Sequence, residues 1–409
     1  MKQAVDYVRK NPGLTTSELA RRLDRDRGTL REELSQSCHA VKTVNVSAWF
    51  ATKDEAKKAA AKPRTAPLEP VARLAEETKN ARVTREHKDL TAEVARLRQV
   101  VDARDAFANS KPLKPIVRRE KASGLREATA IALASDWHVE ERVLSTDTPT
   151  GNVYNLDIAS FRIERFFQGV AAMVKKERGA FKIRDLQLWY GGDLVSGHIH
   201  DENVETSALA PVAACLWLQP QLEAGIHFLL EELQLDNLQL VCSYGNHGRD
   251  TKKPRRATGA HHSYEWNLYK QLERNFAKDK RVSVDASPSG HQYTQVYDFT
   301  SHYHHGDEIS YGGGIGGITI PINKAVAQWD KVRRSNFHNF GHFHQYLNMG
   351  NIANNGSMIG FNGYAMSIKA SPEPPQQAFY LIDSKRGKTC CSPIWVGDAK
   401  AELELLEAA

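Results

Sequence analysis

Five short polar clusters carry the chemistry this sequence offers. They are Asp136-Trp137-His138, Gly192-Asp193, Gly245-Asn246-His247, His304-His305-Gly306 and Gly341-His342-Phe343-His344. Carboxylate, imidazole and amide groups without thiolate suit Mn, Fe, Zn or Co. In D-x-H and H-x-H, alternate residues of an extended segment point the same way, so each pair could clamp adjacent ions. A carboxylate bridging two ions roughly 3.5–4 Å apart recurs in enzymes that cut phosphate esters. Glycines beside the ligands allow the backbone turns that bring them close. Neighbours on a strand face opposite ways, so only one of His304 and His305 should face an ion. An imidazole can act as a general acid, a role open to His247.

Residues so far apart in sequence need a scaffold that gathers them. Each cluster follows an apolar run with the texture of a strand, at residues 130–135, 186–190, 238–243, 293–303 and 337–340. Between the first two, Phe161, Phe166, Phe167, Val170 and Val174 mark one face of a helix expected over 158–176. Residues 204–234 and 261–278 also read as helical. Strands alternating with helices imply an α/β or α+β layered domain over 128–398, with ligands at the carboxyl ends of the strands. Residues 399–409 read as an acidic, loosely docked helical tail.

Upstream, residues 1–60 read as a small helical module. Helices are expected over 3–9, 18–23 and 28–35, with Thr16 or Ser17 capping the second. Arg25, Arg27 and Arg31 point outward from the third. Two short helices about a turn apart, followed by an alternating hairpin over 40–51, follow helix-turn-helix or winged-helix logic. A protein-docking or dimerisation module is the alternative. Residues 61–127 read as a basic linker with a helical segment. Residues 53–67, which run into it, are rich in Lys, Ala and Pro and read as a first tether, and 110–127 form a second. Leu90, Val94, Leu97 and Val101 have heptad spacing for under two heptads. That is too short for a long coiled coil, so a single helix packing on the body is preferred to a dimer stalk.

Composition narrows the classes. Of 409 residues, 41% are hydrophobic and 25% charged, which excludes wholesale disorder. The net charge of +6 divides unevenly. Residues 1–127 hold 28 Lys and Arg against 18 Asp and Glu, a surplus of 10, and the remainder is −4. A basic arm of this kind suits a polyanionic partner. No run approaches the roughly 18 apolar residues that span a bilayer, and no signal-peptide core is visible. Five scattered cysteines without CxxC point to a reducing, cytoplasmic setting.

The five clusters, in this order, resemble the motifs of the calcineurin-like metallophosphoesterase superfamily. The resemblance spans about two-thirds of the chain, residues 128–397. It implies a metallophosphoesterase-type β-sandwich flanked by helices and a pair of divalent metal ions, Mn first, with Fe, Zn or Co as alternatives. It implies that Asp136, His138 and His344 hold one ion, that Asn246, His305 and His342 hold the other, and that Asp193 bridges them. His305 is chosen over His304 because it directly precedes Gly306, as in the family. His247 resembles the general acid, with a hydroxide attacking phosphorus in line. The family often has Asp or Glu after G-N-H; here Gly248 stands there, leaving Asp250 or Asp307 to orient His247.

Further signals bear on the substrate. Arg249, Lys252, Lys253, Arg255 and Arg256 follow His247 within a few residues and could meet a phosphate backbone, although charge runs are often only solvated. His198 and His200 could touch substrate. Gly312, Gly314 and Gly317 satisfy G-x-G-x-x-G without its strand–helix context, so a substrate-side loop or a plain turn fits better. Trp137 either covers the site or packs.

With the basic arm, these features favour a nuclease acting on DNA, or on RNA, most like the DNA-repair branch, with a phage or mobile-element origin held loosely. Nucleases of that kind often pair, so a homodimer is open. The alternatives are a phosphomonoesterase or small-molecule phosphodiesterase, and a DNA-binding regulator on an inactive scaffold.

Overall fold

The computed structural model describes residues 2–25, 27–37, 39–42, 47–50, 53–60, 113–119 and 124–408, with a few more between 84 and 94. The chain forms two compact units, Met1–Arg98 and Gln99–Ala409.

In the first unit, α1 (Lys2–Lys10), α2 (Thr16–Leu23) and α3 (Arg27–Ser37) precede the antiparallel strands β1 (His39–Lys42) and β2 (Ser47–Phe50). The cap of α2 is Thr15, where Thr16 or Ser17 was expected. Its hydroxyl accepts from Glu18 N at 3.2 Å, and the Glu18 carboxylate accepts from Thr15 N at 2.9 Å, a complete capping box. Ala4, Val8, Leu19, Leu30 and Leu34 form its small core. Arg27 and Arg31 are exposed on α3, and Arg25 is half-buried before it. Lys53–Ala60 is a helix, α4, where a linker was expected; Ala and Lys are strong helix formers. Leu90 and Val94 are exposed, while Leu97 and Val101 lie outside the described residues.

The second unit is a mixed α/β structure built on two mixed sheets. The larger sheet contains β3 (Arg126–Ala134), β4 (Phe181–Tyr190), β5 (Asn237–Cys242), β6 (Val282–Asp285), β12 (Gln376–Asp383) and β13 (Gly387–Trp395), in the order β13-β12-β3-β4-β5-β6. Strands β3 to β6 run parallel, while β12 and β13 are antiparallel. The smaller sheet has the order β10-β11-β9-β8-β7, from β7 (Gln292–Val296), β8 (Phe299–Tyr303), β9 (Phe337–Phe340), β10 (Leu347–Met349) and β11 (Ile352–Asn354). The single long strand expected over 293–303 is therefore a hairpin. Val296 pairs with Phe299 across a two-residue loop, and Tyr297 in that loop takes a left-handed φ of 54°.

Alternation along each strand decides the layers. Ile131, Leu133, Trp189, Val241 and Tyr380 of the larger sheet face Tyr303 and Phe337 of the smaller one. On the other face, Ala130, Ala132, Leu186 and Leu188 meet α5 (Leu156–Glu177), α7 (Pro211–Leu233), which follows the short α6 (Asp201–Thr206), and α8 (Tyr264–Asn275). Burying each Phe or Leu of that face is worth about 1.5–3 kcal/mol. A further helix, α9 (Thr319–Trp329), covers the outer side of the smaller sheet through Ile322 and Val326.

Two stretches expected to be loose are docked. Ile116, within the second tether, bridges to the β7–β8 hairpin: its N–H donates to Gln295 O at 3.0 Å and its carbonyl accepts from Tyr297 N at 2.7 Å. The C-terminal helix, Ala399–Ala408, places Glu402 on the buried Arg162, with both contacts at 2.8 Å. Among the described residues no helix is long and apolar enough to cross a membrane.

Candidate metal centre

The loops after β3, β4, β5, β8 and β9 meet where the two sheets present the carboxyl ends of their parallel strands. Ligand atoms of Asp136, His138 and His344 lie within 4.8 Å of one another, and so do those of Asp193, His305 and His342. Asn246 joins the second trio, its Oδ1 3.1 Å from His305 Nε2.

These residues do not sit on extended segments, as alternation had suggested. Asp136, His138, Asp193, His342 and His344 all have positive φ, between 48° and 71°. Such values strain residues with a Cβ and persist only where surroundings over-determine them. Here the loops bond to one another. The amides of Trp137 and His138 donate to Asp193 O at 2.8 and 3.1 Å, His342 N to Asp136 Oδ1 at 2.9 Å, and His247 N to Asp193 Oδ1 at 2.8 Å. Glycine is required where loops touch: a Cβ on Gly245 would stand 2.1 Å from Asp193 Oδ1.

The donor set fits cations. His138 Nδ1 is committed to Ser196 Oγ at 2.9 Å, while its buried Nε2 has no hydrogen-bond partner among the described residues. His344 Nδ1 is likewise buried and unpartnered. His305 donates Nδ1–H to Gly191 O at 2.7 Å, which turns Nε2 towards Asp193 Oδ2 at 3.0 Å and Asn246 Oδ1. Three acceptor atoms then converge on one point and need either a proton or a cation between them. In the metal-free protein a proton answers. Burial pushes His305 down, but Asp193 outweighs it and raises its pKa to about 10. Burial also opposes the Asp193 charge, yet His305 and His247 hold it well below the usual carboxylate range. Burial raises Asp136 to about 7 and lowers His138 to about 3 and His342 to about 4.

His247 stands at the rim, its ring 4.9 Å from that of His138 and 5.8 Å from that of His200. Its Nδ1–H donates to Ser196 O at 3.2 Å, leaving Nε2 as the nitrogen that exchanges protons. Neither carboxylate expected to orient it does so. Asp250 accepts from His262 at 2.8 Å, and Asp307 from Arg256 at 2.9 Å.

His304 faces away from both trios: its Nδ1 accepts from Gly306 N at 2.9 Å and its ring lies 4.4 Å from that of His291. Burial lowers its pKa to about 3. Of the basic run, Arg249 is spent on loop carbonyls, including Asn246 O and Thr251 O. Arg256 pairs with Asp307 and Glu308, leaving Lys252, Lys253 and Arg255 exposed. His198 is exposed. Trp137 packs into the core against Phe166 and Tyr190, its Nε1–H donating to Gln377 at 3.0 Å, and does not cover the site. The 312–317 loop is exposed at 312 and 314–316 and half-buried at Gly313 and Gly317, with positive φ at Gly313, Gly314, Gly316 and Gly317.

Sequence reasoning missed three contributors because none belongs to a motif. Glu265, on α8, accepts from Leu194 N at 2.6 Å and Gly245 N at 2.8 Å and so staples the β4 and β5 loops together; burial raises its pKa to about 8. Glu141 accepts from Ser196 Oγ at 3.0 Å behind His138. The Tyr364 hydroxyl stands 3.4 Å from His342 Nε2.

No family model and no curated protein matches this chain. Solved structures that overlap it include a predicted phosphoesterase from Streptococcus pneumoniae TIGR4, at 13% identity and TM-score 0.25, covering 64% of this chain and 86% of that one. Vacuolar Protein Sorting 29 from Cryptosporidium parvum overlaps at 13% identity and TM-score 0.26, covering 65% and 97%. A hypothetical protein from Pyrococcus horikoshii OT3 overlaps at 12% identity and TM-score 0.34, covering 68% and 93%. Overlaps this shallow decide nothing about activity.

Proposed function

We propose that the second unit is a metallophosphoesterase-type domain, a hydrolase of phosphate esters dependent on two divalent metal ions, and that its substrate is a nucleic-acid phosphodiester. The reading is carried by the two trios of buried ligand groups, closed around each other by five residues in left-handed backbone. Asp136, His138 and His344 would hold one ion, Asn246, His305 and His342 the other, with Asp193 between them. Bound ions would neutralise phosphate charge and lower the pKa of water. The oxygen and imidazole set suits Mn, with Fe, Zn or Co as alternatives.

The chain's own groups supply the rest. His247, held through Nδ1 by Ser196 O, presents Nε2 to protonate the leaving oxygen. Ser196 and Glu141 fix the tautomer of His138. The nucleic-acid preference draws support from the basic surplus of residues 1–127 and from the exposed Arg27, Arg31, Lys252, Lys253 and Arg255. Three helices and a hairpin at the N-terminus are consistent with a winged-helix module.

The test is direct. With Mn, the protein should cleave labelled single- or double-stranded DNA and hydrolyse a bis-aryl phosphodiester. Turnover of aryl phosphomonoesters and diesters with none of DNA or RNA would favour the small-ester alternative. Removing residues 1–60 should weaken DNA binding with a shallower salt dependence; unchanged affinity would give the module another role.

A further inference from the structure

The two peptide planes between Asp136 and His138 are pinned at both ends. On the nitrogen side, Trp137 N and His138 N donate to Asp193 O at 2.8 and 3.1 Å. On the oxygen side, Asp136 O accepts from Met358 N at 3.0 Å, and Trp137 O accepts from the Tyr154 hydroxyl at 2.7 Å. The first clamp belongs to the metal centre. The second lies outside it, and both of its donors lead to one side chain.

That side chain is Arg162, on α5 and 2% exposed. Its Nη1 donates to Met358 O at 2.8 Å and to Ile359 O at 3.1 Å. Its guanidinium carbon stands 5.2 Å from the centre of the Tyr154 ring. Nε and Nη2 meet the two carboxylate oxygens of Glu402, on the C-terminal helix, at 2.8 Å each. A guanidinium cannot shed its proton, so once buried it needs a counter-ion. The carboxylate takes one edge of the fork and fixes its plane, and that plane decides where Nη1 points. Without the carboxylate, the buried cation loses that orientation, and Met358 and Tyr154 lose their support.

The helix that brings Glu402 is lightly held. Leu403 and Leu406 are exposed and, with Pro372 and Pro375, border a cleft of about 580 Å³. The neighbouring pair, Arg165 with Asp398 at 3.7 Å, is open to solvent and screened. An element covered so little can open locally. The turn it supports is the strained one, with φ of 58° at Asp136 and 48° at His138, and such backbone relaxes when its restraints go.

We propose that Glu402 is a positioning residue for the Asp136–His138 turn, acting through Arg162, so that docking of the C-terminal helix raises affinity for the ion held by Asp136, His138 and His344. The proposal rests on the two-ion reading above and deepens it. Asn246, His305 and His342 hang on other loops, so the second ion should be largely spared.

The experiment compares the full chain with its Glu402→Gln variant by Mn titration and by hydrogen exchange. In the variant one of two ions should bind roughly tenfold more weakly and the other by under about threefold, in the range that partners supporting metal ligands contribute. Without metal, the Met358 and His138 amides should exchange about tenfold faster in the variant, while those of Gly245 and His247 keep their rates. Coupling between sites is reciprocal, so in the wild type Mn should slow exchange along the C-terminal helix by a similar factor. That measurement needs no variant and stands even if Glu402→Gln folds poorly. Unchanged helix exchange on adding Mn, or equal Met358 exchange in the two proteins, would overturn the proposal. So would equal weakening of both ions with a lowered Tm, the mark of a merely structural contact. Fewer than two ions in the wild type would bring down the two-ion reading instead, and the metal-free exchange would still decide whether Glu402 holds the turn.

Discussion

Strands β8 and β9 lead into two groups of histidines with opposite fates. His305, His342 and His344 turn towards Asp136 and Asp193. His302, His304 and His338, joined by His291, form the other group, and Trp329 of α9 packs against His291, His302 and His304. Histidine dominates both sides. The difference lies in where the lone pairs go. On the first side, a backbone carbonyl or a serine takes one nitrogen of His305 and of His138, leaving the other of His305 on Asp193 and the other of His138 buried and open among the described residues. On the second, rings bond to rings and a backbone amide consumes the His304 lone pair. A histidine cluster reads as a cation site only after its tautomers have been traced.

The comparison can be broken at several points. The largest effect is expected from Asp193→Asn, which removes the shared carboxylate while keeping a residue that tolerates left-handed backbone. Turnover should fall by roughly 10³-fold or more, and metal content should drop below two per chain. Next, His247→Ala should lose about 10²–10⁴-fold in turnover with metal content intact, measured by mass spectrometry on the same sample. Unchanged turnover would remove its acid role. A sharper contrast sets His305→Asn against His302→Asn. The first should cost one metal equivalent and the second none, and equal metal content in the two would erase the distinction between the faces.

The smallest effect is protonic. In the metal-free protein the His305 proton, with a pKa raised to about 10, blocks the ligand nitrogen. Below that pH the cation must displace it, so affinity should rise with pH by up to about tenfold per unit and level off near pH 10. Binding at pH 7 should release about one proton from His305 and a further fraction from Asp136, whose carboxyl burial raises to about 7, read by calorimetry in two buffers of different ionisation heat. The sign also fixes apo stability. The folded pKa exceeds the ordinary value of 6.5, so the contribution of the His305–Asp193 pair is complete below pH 6.5 and is lost as pH rises through 10.

Much of this was legible in the sequence because strand ends and polar clusters coincide. The apolar runs before Asp136, Asp193 and Asn246 are β3, β4 and β5, and Phe337–Phe340 is β9 as written. What sequence could not show is geometry that no local pattern encodes. The left-handed turns at Asp136 and His138 replace the expected extended clamp, since closure comes from amides of other loops. The break at Tyr297 carries neither Gly nor Pro to announce it. Glu265 looks like any helix glutamate until α8 brings it under two loops, and Arg256 looks like a free cation until Asp307 and Glu308 claim it.

The left-handed backbone at five ligand positions also shapes what substitutions these sites can pass through. Apart from glycine, the residues that accept such φ most readily are asparagine, aspartate and histidine. All three carry an oxygen or nitrogen able to bind a divalent ion. A mutational walk that respects the backbone at Asp136, His138, Asp193, His342 or His344 therefore tends to remain within metal-binding side chains. Alanine, the usual probe, leaves that path twice, by losing the donor and by straining the turn. In this fold the conformational filter and the chemical one select nearly the same alphabet, so the site's tolerance to drift is written in φ as much as in charge.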